Sequence, residues 1–225
     1  MEFNLKELIK GFLVICSYFV LQVILATPFI FFIEKKIISY NTSLLFIYIG
    51  LTIIYLLAYR KTIIEDLKDF KKNYKHILKR TIKYWLIGLL IMILSTYVIN
   101  LFNVPVNDNQ ESNISFFKEA PLIQATCSII LAPIIEELVF RRSFKNFTNN
   151  PILFGLVTGL LFGFVHIISS LTGPQDLIIF AHLIPYSAVG IAFGYVYKEH
   201  NNIIGTILIH SLHNLIAIIE IIILL

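Results

Sequence analysis

Seven predominantly apolar runs set the pattern of the chain: Gly11–Ile33, Thr42–Tyr59, Tyr84–Phe102, Pro121–Phe144, Pro151–Ser170, Leu177–Tyr197 and Asn202–Leu225. A bilayer crossing needs about 20 such residues, so each run is long enough to span. Backbone groups in lipid must be satisfied within a helix or a closed barrel, and the alternation expected of barrel strands is absent. The pattern predicts an all-α, polytopic transmembrane bundle. Between the second and third runs, Ile63, Ile64, Leu67, Phe70, Tyr74, Ile77 and Leu78 recur at helical spacing among lysines. That segment, Arg60 to Lys83, reads as an amphipathic helix on an anionic membrane surface. The stretch NVPVNDNQESNISF after the third run is polar and mildly acidic and reads as a mobile loop. The chain divides into three N-terminal spans with their linker helix, residues 1–118, and a four-helix region, residues 119–225.

Composition sharpens this reading. Of 225 residues, 57% are hydrophobic, and the mean hydropathy is +0.82, more apolar surface than one soluble core can hide. The first run is too long for a signal-peptide core and reads as a retained span. Lys6, Lys10, the nine basic residues from Arg60 to Lys83, Arg141, Arg142, Lys145 and Lys198 fall on one side, 15 in all, against Lys35, Lys36 and Lys118 on the other. The positive-inside rule then puts the N-terminus in the cytoplasm and the C-terminus outside. The net charge of +4 reads as topology, not nucleic-acid binding. Cys16 and Cys127 sit in apolar segments without metal or redox spacing and read as small buried hydrophobes.

Against this background the polar residues of the last four spans stand out. Glu137 and Arg141, Phe162 and His166, and His210 and Asn214 are each four apart, so each pair shares one helical face. Glu136 lies about 100° around from Glu137. If Arg141 neutralises Glu137, Glu136 is left to point into the bundle. At about 1.5 Å per residue, Glu136 lies roughly 15 Å from the inner end of its helix, His166 about 22 Å, and His210 and Asn214 about 12 and 18 Å, depths that tilt can reconcile. Gly155, Gly159, Gly163 and the pair Gly190, Gly194 would let helices approach closely. Pro133 removes a backbone donor one turn before Glu136 and leaves a carbonyl to be satisfied elsewhere. Each feature has a bland counterpart: a hydrogen-bonded structural histidine, an ion pair at a helix end, a packing stripe. His182 and His213 fall outside the repeated spacing and keep that structural reading.

Together the residues suit hydrolysis. A carboxylate and an imidazole flanking a water can act as base and acid, and His210 with Asn214 can donate to the oxygen of a tetrahedral intermediate. Equally, Glu136, His166 and His210 could ligate Zn²⁺ with an open position for water.

The three motifs resemble those of the CPBP family of intramembrane proteases, which groups the type II CAAX-prenyl proteases with bacteriocin-processing and immunity (Abi) proteins. EExxxR stands as EELVFR, FxxxH as FGFVH and HxxxN as HSLHN, in order on three predicted helices. The resemblance spans about Pro121 to Leu225. It implies that Glu136 activates water with His166, that His210 and Asn214 stabilise the oxyanion, and that Glu137, Arg141 and Phe162 support the site. Both metalloprotease and metal-free glutamate mechanisms are attributed to this family, so zinc stays open. The leading expectation is an endopeptidase cleaving a peptide near the cytoplasmic membrane face. Abundant Ile, Asn and Lys suggest a bacterial source, and hence a pheromone or bacteriocin precursor as substrate. The alternatives are a non-proteolytic immunity or scaffold protein and a proton-coupled transporter, the latter weakened by the lack of an internal repeat.

Overall fold

A computed structural model describes residues 3–171 and 177–225. Among the described residues, seven helices are long and apolar enough to cross a membrane, as the hydropathy pattern requires. We number eight helices in chain order: α1 Leu5–Glu34, α2 Tyr40–Ala58, α3 Arg60–Leu101, α4 Asp108–Glu119, α5 Pro121–Arg142, α6 Pro151–Ile167, α7 Leu183–His200 and α8 Ile203–Leu224. Short 3₁₀ turns, Ile168–Leu171 and Leu177–His182, follow α6 and precede α7.

Two expectations about the helices are corrected. The amphipathic segment is helical but is not a separate surface helix: it continues into the third span as one 42-residue helix. No proline or glycine interrupts residues 60–83, so nothing breaks the hydrogen-bond ladder. Asp66 and Asp69 also turn inward, toward α8. Asp66 Oδ2 accepts from the Ile203 amide at 2.8 Å, and Asn202 Nδ2 donates to Asp66 O at 2.9 Å and to Asp69 Oδ2 at 2.8 Å. Carboxylates there satisfy orphan amides and complement the positive end of the α8 dipole. Second, the polar stretch read as a mobile loop contains α4. Asn107 caps it, Asn107 Nδ2 donates to Ser170 Oγ at 3.2 Å, and Gln124 Nε2 binds Asn113 Oδ1 at 2.7 Å.

The basic segments gather at one end. Asn4 N donates to Phe147 O at 2.7 Å, Arg142 Nη2 to Thr62 Oγ1 at 2.8 Å, and Lys198 Nζ to Lys145 O at 2.7 Å. Asn201 takes the left-handed conformation, φ 54°, in the turn between α7 and α8, which Asn tolerates through its short polar side chain. At the opposite end, Asn41 Nδ2 meets Glu119 Oε2 at 3.0 Å.

The core joins both halves of the chain. Ile15 and Tyr18 of α1 and Ile47, Leu51 and Tyr55 of α2 pack with Ile135, Leu138 and Phe140 of α5 and Phe162 of α6. A smaller cluster joins Trp85 of α3 to Val189, Phe193 and Ile209. α6 and α7 meet through their glycines: a Cβ on Gly190 would lie 3.1 Å from Gly159 Cα, and one on Gly194 3.0 Å from Gly155 Cα. Such contact gives the dispersion energy that holds helices together where lipid removes the hydrophobic drive. Cys127 is buried as expected, whereas Cys16 faces outward from the bundle.

Candidate active site

The helix carrying the two adjacent glutamates is irregular. α5 begins as an α-helix, widens to π geometry over Cys127–Leu131, returns to α over Ala132–Glu137 and widens again over Leu138–Arg142. In the first wide turn the Ala132 amide reaches back five residues, to Cys127 O. In the second, Ser143 N binds Leu138 O at 3.2 Å. Each extra residue turns the following side chains by about 100° relative to a regular helix, and such bulges recur at functional sites. Continuing the first register, the amide of residue 133 would bind Ser128 O, but Pro133 has none. Asn214 of α8 supplies the donor: its Nδ2 lies 2.8 Å from Ser128 O. The carbonyl anticipated from Pro133 is thus satisfied by a motif side chain.

Glu137 and Arg141 are fully buried, with Glu137 Oε1 3.3 Å from Arg141 Nη1. Arg141 Nη2 donates to Gly190 O at 3.1 Å, and its guanidinium lies over the rings of Phe162 at 4.6 Å and Phe193 at 5.9 Å. A charge taken from water needs such compensation on every side. Glu137 has a second role. The same Oε1 accepts from His210 Nδ1 at 2.9 Å, which fixes the tautomer and turns Nε2 outward. His210 Nε2 then lies 3.5 Å from Glu136 Oε2. The imidazole is held between the two carboxylates, one fully buried and the other with 16% of its side chain exposed.

His166 is oriented from its own helix. Its Nδ1 lies 2.8 Å from Phe162 O, while its ring packs on Phe162 at 4.3 Å and stacks on Tyr186 at 5.0 Å. Nε2 is thereby left for the site, within electrostatic range of Glu136 and His210. Both imidazoles therefore commit Nδ1 to an oxygen acceptor and free Nε2, the arrangement seen in metal-ligating and proton-transferring histidines. The donor types suit zinc, but the described residues contain no group of three His, Cys, Asp or Glu placed to hold a metal ion. Glu136 and His210 approach each other; His166 does not complete a ligand set with them.

The structure thus assembles Glu136, Glu137, Arg141, Phe162, His166 and His210, and ties Asn214 to the backbone beside them. His182 lies outside this group, its Nε2 bound to Pro105 O at 2.8 Å; His213 sits at its edge, within electrostatic range of His210 and His166, its Nδ1 accepting from Trp85 Nε1 at 3.4 Å. Sequence reasoning singled out Gly190 only for packing, and it missed Phe193 and the carbonyl of Ser128, which have no reactive group to advertise. It also missed Tyr18 and Tyr48, which lie within electrostatic range of Glu136. The available signal was tyrosine well inside a span, where hydroxyls need partners.

Residues 118–216 match the family model described as type II CAAX prenyl endopeptidase Rce1-like. The matched residues contain all three motifs, EELVFR, FGFVH and HSLHN. The match bears out the resemblance read from those motifs, and every residue of the site except Tyr18 and Tyr48 falls in the matched region. Over 175 residues the chain is 29% identical to the UPF0177 protein YxdF of Lactococcus lactis, a match covering 73% of this chain and 88% of that relative. It is 28% identical over 116 residues to a Bacillus subtilis protein named "Putative membrane peptidase YdiL", covering 50% of this chain and 43% of YdiL. No solved structure matches significantly.

Proposed function

We propose that the protein is an intramembrane endopeptidase in which Glu136 activates water against a peptide carbonyl. The family match supports a membrane protease at the family level. The observation that carries the mechanism is His210 held between Glu137 and Glu136, at 2.9 and 3.5 Å. Arg141 and His210 set two basic side chains against the two carboxylates, so charge developing at Glu136 is met within the site. Water bound at Glu136 gives a proton to the carboxylate as its oxygen attacks the carbonyl carbon. His210 Nε2, protonated and backed by Glu137, donates to the resulting oxyanion. The C–N bond then breaks, and the proton held by Glu136 passes to the leaving amine, with His166 Nε2 beside the path.

Glu136→Gln keeps the shape and removes the base. Its expected outcome is loss of cleavage of a membrane-peptide library in proteoliposomes, with insertion and thermal stability retained. Cleavage at the wild-type rate would refute this mechanism. A zinc route would require His166 to move toward Glu136 and His210 before the three could hold the ion and let it supply the nucleophilic water. Elemental analysis of active protein separates the two: about one metal per chain, lost with either imidazole, supports zinc, and far less supports the glutamate route.

The charge count assigns the basic end to the cytoplasm, so we place the N-terminus inside, and we favour cleavage near that face. A cysteine at Lys72, with Cys16 and Cys127 replaced by Ala, is expected to resist an impermeant thiol reagent in intact cells, and one at Asn109 to react. The reverse pattern would invert the topology. The substrate we favour is a peptide precursor, pheromone- or bacteriocin-like, in a bacterial cell membrane.

A further inference from the structure

We infer that Asn214 is a positioning residue: its amide replaces the backbone donor that Pro133 lacks, and so sets the rotation at which α5 presents Glu136. The inference rests on the protease reading for its kinetic consequences, but its structural core does not. Proline cannot donate, so a π register running into Pro133 leaves Ser128 O open. A buried carbonyl left open costs free energy comparable to a lost hydrogen bond, and helices in lipid recover it from a neighbour. Asn214 Nδ2, at 2.8 Å, is that neighbour. One turn back on the same face of α8, His210 contacts both Glu136 and Glu137.

α8 thus grips α5 at two levels, Ser128 below Pro133 and the glutamate pair above it. Between these grips lies the end of the wide turn, the part of α5 whose register is least determined by its own hydrogen bonds. Without Asn214, that turn is free to seek another donor by rewinding. Rewinding would rotate Glu136 away from His210 Nε2. The amide does this while spending one of its two N–H groups, and the bond runs to backbone, not toward Glu136.

This role separates from direct oxyanion donation in a double-mutant cycle over Asn214→Ala and Pro133→Ala. Alanine at 133 restores a backbone donor and makes the Asn214 amide redundant. Asn214→Ala is expected to lower kcat by up to about 100-fold, the scale of a misplacement of about 1 Å, with KM little changed. Its pH–rate profile should also shift, because the Glu136–His210 contact changes. In the Pro133→Ala background the same replacement should cost much less, and the profile should stay put. Equal losses in both backgrounds, with unshifted profiles, would show that Asn214 acts on the reacting oxygen and overturn the inference.

Thermal stability tests the clamp whether or not the protein cleaves peptides. Asn214→Asp turns a donor into an acceptor facing Ser128 O, so its Tm should fall below that of Asn214→Ala, and both should recover part of the loss with Pro133→Ala. Wild-type Tm for Asn214→Asp, or no recovery, would refute the clamp. Absence of proteolysis in the wild-type protein would refute the protease reading and leave these stability results to judge the clamp.

Discussion

Helices α3 and α5 are built from similar material and do different work. Their most apolar stretches have mean hydropathies of 1.9 and 1.7, yet 17% of the first is buried against 44% of the second. α3 runs unbroken for 42 residues and turns much of its apolar surface outward, with Leu86, Leu90, Ile93, Leu94 and Tyr97 all exposed. α5 is interrupted twice by π turns and surrounded by α1, α2, α6 and α8. The contrast shows that apolar content decides whether a helix enters the membrane, whereas small and polar residues decide whether it is enclosed. Lipid solvates Leu90 as well as a protein core would, but nothing in lipid solvates Glu137.

The largest effect should come from unpairing the enclosed charge. Arg141→Ala leaves Glu137 buried without its cation and is expected to cost about 3–5 kcal/mol, read as lost yield and a lower Tm in detergent. A stable but inactive variant would instead assign Arg141 to the chemistry and blur the distinction between supporting and reacting residues. Next, Gly159→Val forces α6 away from Ile191 of α7, whose backbone already crowds the glycine. The expected cost is about 1–3 kcal/mol, measured by thermal unfolding. Activity should fall further than stability, because Gly190 O would move from Arg141. The smallest effect belongs to α3. Asp66→Ala removes the acceptor for the Ile203 amide and should cost about 0.5–2 kcal/mol, by analogy with a lost helix cap. A much greater loss would mean that α3 organises the site and does more than brace α8.

Several features could be read from residues alone. Spans, their number and the alternation of basic ends follow from hydropathy and charge. Glu137 with Arg141 follows from a four-residue spacing within one helix, and it held even in a π turn. Pairing between helices was harder. The HxxxN motif suggested His210 and Asn214 acting together on one oxygen. The fold gives His210 Nδ1 to Glu137 and an Asn214 N–H to Ser128 O. Which groups meet depends on helix rotation, and each π turn in α5 shifts that rotation by about 100°. No periodicity argument could anticipate the shift, since it is stabilised by a partner 86 residues away.

The sequence by itself determined that this chain enters a membrane, because transfer of apolar side chains is nearly additive and blind to neighbours. It also determined which polar residues must find partners there, since an unpaired charge or carbonyl is too costly to leave. Only the tertiary structure decided which partners they found. Hydrogen bonds and ion pairs act over a few ångströms and depend on angle, so the contacts of Glu136, Glu137 and Asn214 across helices exist only once α5 and α8 have packed.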